Sequence, residues 1–424
     1  MKIPPVKGTR DFYPPDMAVR NFIVDGWKEV SLRNGFEEYD GPIFEYLKMF
    51  QIKSGDEIAE QLFSLTDRGG RELAIRPEIT PTLARMVNQQ INSLPRPIKW
   101  FSVPRLCRAE RPQKGRLREF FQWNVDIIGV DDVLADAETI FCAIDYLREA
   151  GLTPDDIVVK ISSRKMLAAV LKSIGIDKSK LDGLYAVLDK RNKLPDEAFE
   201  ETLEKQLPDK AKRQRVLELM NAESIEQIEQ MFGAQGAFDE LKQLMLLLNK
   251  MAVGDYCKFD PGIVRGLAYY TGIVYEIYDR ADQLRAIGGG GRYDDLLKQF
   301  GGPAIPATGF GIGDCILGIL LEEKGLLKPK PKELDYFVAY VNENYKGMAV
   351  ELAVKLRSKG LIADFSYKAG KLSKQLKLAS ESNAKKCIII GDEFKNNELV
   401  IKDMGTGEQK LVKVDEFLSR PESF

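Results

Sequence analysis

Histidine is absent from all 424 residues of this chain. That one gap removes the commonest neutral-pH general base and the commonest protein metal ligand. No histidine-containing triad can exist, so acid–base work falls to carboxylates, Lys, Tyr, Cys or the substrate itself. Cysteine is sparse: Cys107, Cys142, Cys257, Cys315 and Cys387 are scattered, odd in number and nowhere spaced as CxxC. No zinc and no other resident metal is expected, and reduced thiols are the default. No run approaches the roughly 18 apolar residues that span a bilayer. Residues 1–10 carry no apolar stretch of the signal-peptide kind. These absences predict a cytoplasmic chain with no membrane partner. A dominant charge sign is missing too: 62 basic residues face 64 acidic ones, for a net charge of −2. Where the charges lie therefore matters more than their sum.

What remains is an ordinary globular composition, 44% hydrophobic and 30% charged, long enough for about two to four domains. Lys328-Pro-Lys-Pro-Lys332 cannot continue a helix, which predicts a linker over 326–332. Beyond it, 333–424 alternates apolar runs (Leu334–Val341, Leu361–Phe365, Cys387–Ile390) with helical ones (Met348–Lys359, Lys371–Ser380). That alternation predicts a small α/β domain with a parallel or mixed sheet. Residues 1–325 read as one α+β domain. Val19, Phe22, Ile23, Trp27 and Val30 follow helical spacing, and Thr66-Asp-Arg-Gly-Gly70 separates two strand-like runs as a hairpin would. From about 156 to 250 the sequence turns Lys/Glu/Leu-rich, predicting a helical insertion.

Polar residues fall in rows. In Phe120–Ile127, period-two alternation puts Gln122, Asn124 and Asp126 on one face and Phe121, Trp123, Val125 and Ile127 on the other. In Arg76-Pro-Glu-Ile-Thr80 the same reading groups Arg76, Glu78 and Thr80. A solvated sheet face would look alike, but two rows stand beside a dense basic loop and point to a polar pocket floor. That loop, Arg105–Arg118, holds Arg105, Arg108, Arg111, Lys114, Arg116 and Arg118 against the single acid Glu110. Pro112 and Gly115 break it, and planar guanidinium forks suit phosphate oxygens. Ile287-Gly-Gly-Gly-Gly-Arg-Tyr-Asp294 permits close backbone approach, although it is no GxxxxGK[ST] loop.

Several segments together carry a resemblance: Lys7–Phe12, Asp40-Gly-Pro-Ile-Phe44, Phe101–Gly129 with ERPQKGR at Glu110–Arg116, Val264–Thr271, Gly289–Asp294 and Gly309–Gly313. They resemble class II aminoacyl-tRNA synthetases, and among these the histidyl-tRNA synthetase family. The resemblance implies an α+β fold: a class II synthetase-like antiparallel sheet with flanking helices over 1–325, a helical insertion, and a C-terminal α/β anticodon-binding domain. It implies ATP with bound Mg²⁺, L-histidine and histidine tRNA as ligands, and a homodimer with Asp40–Phe44 near its interface.

The resemblance also assigns roles. Arg108 would hold the α-phosphate, and Glu110 and Arg116 the bent ATP and its outer phosphates. Glu78, Thr80 and Gln122 would receive the ammonium of histidine. Asp126 and Tyr270, with Tyr269 nearby, would bond the imidazole. Arg265 would bring positive charge to the α-phosphate in the transition state. Gln113 and Arg111, in the loop, would meet the tRNA acceptor end. The implied chemistry attacks the α-phosphate with the histidine carboxylate, then passes the acyl group to the terminal ribose hydroxyl of the tRNA. Three departures stand out: Ala268 where the family usually has Asp, Asp126 where many members have Glu, and Ile316 where class II enzymes place an adenine-stacking Arg. A non-catalytic paralogue, such as an ATP phosphoribosyltransferase regulatory subunit, is the alternative; such proteins typically lack the anticodon domain and erode the basic loop. Independently, Lys355–Lys386 holds nine basic residues against Asp364 and Glu381, an excess suited to a phosphate backbone. The missing histidine then acquires a second meaning, since synthesis of this chain would draw on no charged histidine tRNA.

Overall fold

Period-two alternation makes Phe120–Ile127 the middle of a long central strand, and the rest of the larger unit is built outward from it. The computed structural model describes residues 3–51, 62–191, 194–233, 236–265, 269–330, 332–368 and 370–424. Among these, the strands up to the linker are β1 (Glu37–Glu38), β2 (Phe44–Tyr46), β3 (Phe63–Thr66), β4 (Glu72–Ile75), β5 (Ile98–Ser102), β6 (Arg105–Cys107), β7 (Glu119–Ile128), β8 (Ile157–Ser163), β9 (Cys257–Phe259), β10 (Ile273–Asp279), β11 (Gly288–Arg292) and β12 (Ala307–Gly313). Nine of them form one sheet in the order β1-β5-β7-β12-β11-β10-β8-β9, with β6 paired to the start of β7. Every ladder from β5 across to β8 is antiparallel, and only the edge pairs β1·β5 and β8·β9 are parallel. A hairpin turn at Asp67–Gly70 joins β3 to β4 in a separate three-stranded sheet, β2-β4-β3.

One face of the large sheet is apolar and carries helices. The helix Pro14–Arg33 buries Ile23, Val24, Trp27 and Val30, with Trp27 stacked on Trp123 of β7 at 6.1 Å. The indole N–H of Trp123 donates to Ser31 Oγ at 2.8 Å, and Ser31 Oγ donates to Trp27 O at 2.8 Å. The one polar side chain buried in this stretch of the helix is thereby satisfied at both ends.

Two readings of the sequence are corrected here. The helical block begins at Arg164, because Ile157–Ser163 is an interior strand whose Ile157, Val159 and Ile161 are fully buried. β-Branched residues fit a pleated, covered surface better than a helix. The helices Arg164–Ser173, Leu181–Leu188, Asp196–Gln206, Lys210–Met220, Ile225–Phe232 and Asp239–Lys250 follow. Their apolar faces join the sheet's own core through Leu184, Phe199, Leu203, Val216 and Leu244. Second, Arg76–Thr80 is no strand. β4 stops at Ile75, Pro77 denies the ladder a donor, and Thr80 opens the helix Thr80–Gln89.

The chain divides into two compact units, the second consisting of Pro14–Ala18 with Pro329–Phe424. The latter carries β13 (Leu334–Tyr340), β14 (Ala363–Phe365), β15 (Ala384–Ile390), β16 (Glu398–Asp403) and β17 (Gln409–Lys413) in the order β14-β13-β15-β16-β17. β14, β13 and β15 run parallel, and β16 and β17 are antiparallel additions. The mixed sheet follows from the helices Lys346–Ser358 and Leu372–Glu381, which act as crossovers between its parallel strands. Among the described residues no helix is long and apolar enough to cross a membrane.

Candidate active site

The sheet's other face is where the polar rows lie. Antiparallel register sets Gln122, Asn124 and Asp126 of β7 opposite Gly313, Gly311 and Gly309 of β12. On the next rungs Gly311 and Gly309 face Gly289 and Gly291 of β11, and Gly289 faces Glu276 of β10. Residues on one rung share a face. Asn124, Gly311, Gly289 and Glu276 thus form a line in which two polar walls are separated by a floor without side chains. A Cβ on Gly289 would lie 2.2 Å from Arg265 Nη1 and 2.5 Å from Tyr275 O; one on Gly309 would lie 2.3 Å from Asp126 Oδ1. The four-glycine run is therefore a buried strand, and its glycines are required by close approach.

Two adjoining cavities open on this floor. The larger, about 370 Å³, is lined among others by Arg108, Glu110, Arg116, Phe120, Glu276 and Ile316. The smaller, about 80 Å³, is lined by Thr80, Asn124, Asp126, Tyr269, Tyr270 and Tyr293 among others. Glu78, Arg108, Gln122, Arg265, Gly289 and Gly311 belong to both. The expected phosphate residues and the expected histidine residues thus meet across a shared wall. Arg76 does not join them. It is 3% exposed and donates to Asp40 Oδ1 at 2.6 Å, Gly41 O at 2.8 Å and Arg105 O at 3.1 Å, so it braces the approach to the site.

The basic loop is held from several directions. Arg108 Nε donates to Pro77 O at 3.1 Å, with its guanidinium 5.1 Å from the Phe120 ring centre. Arg116 pairs with Glu110. Arg118 donates through its amide to Gly8 O at 2.8 Å and through Nε to Glu110 O at 3.1 Å, which ties the first described residues to the loop. Arg10 pairs with Asp314 at 2.6 Å, and Asp314 accepts the Phe121 amide at 2.9 Å. Gln113 and Arg111 sit exposed at the loop tip rather than on either cavity; Gln113 Oε1 accepts from Arg285 Nη2 at 3.0 Å. Ile316 stands in the larger cavity's wall directly under Gly115, whose φ is +73° and whose added Cβ would meet Ile316 Cδ1 at 2.0 Å. The side chain at 316 is therefore apolar and packs beneath the loop. Ala268, with Gly266 and Leu267, lies outside the described residues.

Asp126 is the most perturbed carboxylate of the smaller cavity. Burial raises its pKa to about 7, against the lowering effect of a hydrogen bond from Tyr293 Oη to Oδ1. Its Oδ2 is buried with no hydrogen-bond partner among the described residues, an acceptor left over for a ligand N–H. Arg265 donates to Tyr275 O at 3.2 Å, lies 3.8 Å from Glu276 and rests 5.3 Å from the Tyr270 ring centre. Below the floor, Arg292 is a purely structural cation. It is 4% exposed, pairs with the buried Asp136 at 2.5 Å and donates to Val130 O and Asp132 O. Sequence reasoning missed Tyr293, Glu276 and Asp189 as cavity residues. An acid flanked on both sides by apolar residues inside β10 was the available signal for Glu276. Asp189 ends a helix of the insertion, and nothing local marks it.

The open face of the antiparallel sheet thus carries a polar cavity with an arginine-rich loop at its rim and a smaller polar recess beside it. Residues 8–313 match the family described as Histidyl-tRNA synthetase, and 335–420 match one described as Anticodon binding domain. A histidine–tRNA ligase, chloroplastic/mitochondrial, from Arabidopsis thaliana is 40% identical over 97% of this chain and 85% of its own length. One from Opitutus terrae is 40% identical over 94% of this chain and 93% of its own. In fold, the crystal structure of histidyl-tRNA synthetase from Nostoc sp. PCC 7120 superposes with a TM-score of 0.80 at 23% identity, covering 99% of this chain and 100% of that one. The chain belongs to the histidyl-tRNA synthetase family.

Proposed function

We propose that the chain activates L-histidine with ATP in the joined cavities and transfers the histidyl group to histidine tRNA. The observation that carries this is the pairing of two chemistries across one wall: an arginine-lined cavity for phosphates and a recess containing an unsatisfied carboxylate oxygen for imidazole. Glu78, Thr80 and Gln122 take the substrate ammonium, and Asp126 with Tyr269 and Tyr270 takes the ring. Arg108, Glu110 and Arg116 hold ATP, and Arg265 neutralises charge developing on the α-phosphate. Activation needs positioning and charge compensation rather than a protein base, which suits a chain without histidine. Mg²⁺ accompanies ATP, and Glu78, Glu110, Asp189 and Glu276 are the carboxylates lining the same cavity; we propose no zinc. In the transfer step, the adenylate's own phosphate oxygen accepts the ribose proton.

The anticodon end of the tRNA meets the C-terminal unit, whose Lys355–Lys386 segment supplies the basic surface. Gln113 and Arg111 at the loop tip approach the acceptor end. The protein works as a homodimer in the cytoplasm, with the small sheet β2-β4-β3 at the interface. A buried unpaired group makes discrimination against other amino acids strong, because each competitor leaves Asp126 unsatisfied.

Pyrophosphate exchange with each amino acid in turn, followed by tRNA charging, tests the reading. Histidine alone supports exchange, and Arg265→Ala lowers it by at least about 100-fold with folding retained. Silence with every amino acid would instead favour the regulatory-subunit alternative.

A further inference from the structure

Arg164 is the first residue of the helix Arg164–Ser173, whose N-cap Ser163 accepts the Met166 amide at 3.3 Å. Its own amide donates to Gly272 O at 2.9 Å. The side chain leaves the helix and reaches the segment that carries Arg265. Nε donates to Val264 O at 3.2 Å and Nη2 to Arg265 O at 2.5 Å. The residue is 7% exposed, and its guanidinium stacks 4.9 Å from the Tyr185 ring centre. A buried cation is thus engaged with the two carbonyls that flank the Arg265 peptide unit.

The conformation so held is unusual. Arg265 has φ of +54°, in the left-handed region that L-residues with a Cβ avoid. Such strain persists only where the surroundings impose it, and it gathers at functional sites. The consequence is visible in the side chain, which lines both cavities and approaches Tyr275 O and Glu276. An ordinary right-handed residue at 265 would project its side chain elsewhere. A rigid five-donor fork can satisfy two carbonyls at a fixed spacing, which the single ammonium of Lys cannot reproduce.

We propose that Arg164 is a positioning residue for adenylate formation: by clamping the carbonyls of Val264 and Arg265, it keeps Arg265 in the left-handed conformation that delivers its guanidinium to the reacting phosphate. This rests on the reading of Arg265 as the transition-state cation. The catalytic arginine is thereby set from the first turn of the helical insertion.

A double-mutant cycle on the full chain separates this role from plain packing. Arg164→Gln, Arg164→Lys, Arg265→Ala and the two doubles are compared by single-turnover adenylate formation at saturating histidine and ATP, with KM values and thermal melts alongside. Arg164→Gln lowers the rate on the order of 10- to 100-fold with both KM values within about threefold. Arg164→Lys recovers part of it, and neither change costs anything further in the Arg265→Ala background. Equal losses in both backgrounds, or an unchanged Arg164→Gln rate, would overturn the proposal. A normal Arg265→Ala rate would overturn the catalytic reading instead. Should the Gln variant not fold, the Lys variant carries the same comparison.

Discussion

The phenol of Tyr293 donates a hydrogen bond to Oδ1 of Asp126, which leaves Oδ2 in the smaller cavity without a partner among the described residues. The pair joins β7 to the residue that follows the glycine strand β11, and it fixes which acceptor a bound imidazole N–H would find. Removing the donor should therefore act on histidine and not on ATP. For Tyr293→Phe we expect histidine KM to rise about tenfold in pyrophosphate exchange, with ATP KM within about threefold. Loss of that bond also removes an influence that lowers the Asp126 pKa, so the acid limb of the histidine profile should move to higher pH. Equal changes in both KM values would point to general loosening of the cavity.

Asp126 also ties stability to pH. Its folded-state pKa is raised to about 7 by burial, whereas an unfolded Asp titrates near 4. Between these values the folded chain holds the proton and the unfolded chain does not, so this residue's contribution declines as pH rises from about 4 to about 7. Asn at 126 carries no such charge. Asp126→Asn should gain stability over the parent as pH rises, by an amount on the order of 1 kcal/mol or more at pH 8 compared with pH 5. Denaturant midpoints at the two pH values measure it, and a difference that shrinks toward pH 8 would contradict the sign.

Gly289 gives a third test. An added methyl meets Arg265 Nη1 and the carbonyl of Tyr275. Backbone cannot yield as a flexible side chain can, so Gly289→Ala should destabilise by about 1–3 kcal/mol. It should also displace Arg265 and nearly abolish adenylate formation. Thermal melts and single-turnover rates report the two effects separately, and an active Gly289→Ala protein would show that the floor has room to spare.

The small sheet offers a fourth. Phe44 and Tyr46 of β2 share a face with Leu65 of β3 through the Tyr46–Leu73–Leu65 rung, and all three are at least 40% exposed. Such an apolar face suits self-association. Phe44→Asp should shift the proposed dimer toward monomer in sedimentation velocity, and an unchanged distribution would move the interface elsewhere.

Much of this was legible along the chain. Alternation placed Gln122, Asn124 and Asp126 on one face, and helical spacing marked the buried edge of Pro14–Arg33. The readings that failed did so for local reasons. Arg76–Thr80 mimicked a strand in its alternation, but Pro77 ended the ladder. Ile157–Ser163 disappeared into the helix-rich sequence after it, because an apolar run that short carries no period of its own.

The sequence by itself determined which chemistry was possible. With no histidine, any imidazole in the site is the substrate's, and the arginine loop and carboxylates are the available tools. Tertiary structure decided which of these tools meet. Tyr293 lies 167 residues from Asp126, and Arg164 lies 101 residues from the carbonyl it holds. Those pairings depend on strand order and rung register across β7, β12, β11, β10 and β8. Side-chain alternation assigns a residue to a face, but only long-range hydrogen-bonded register assigns it a neighbour.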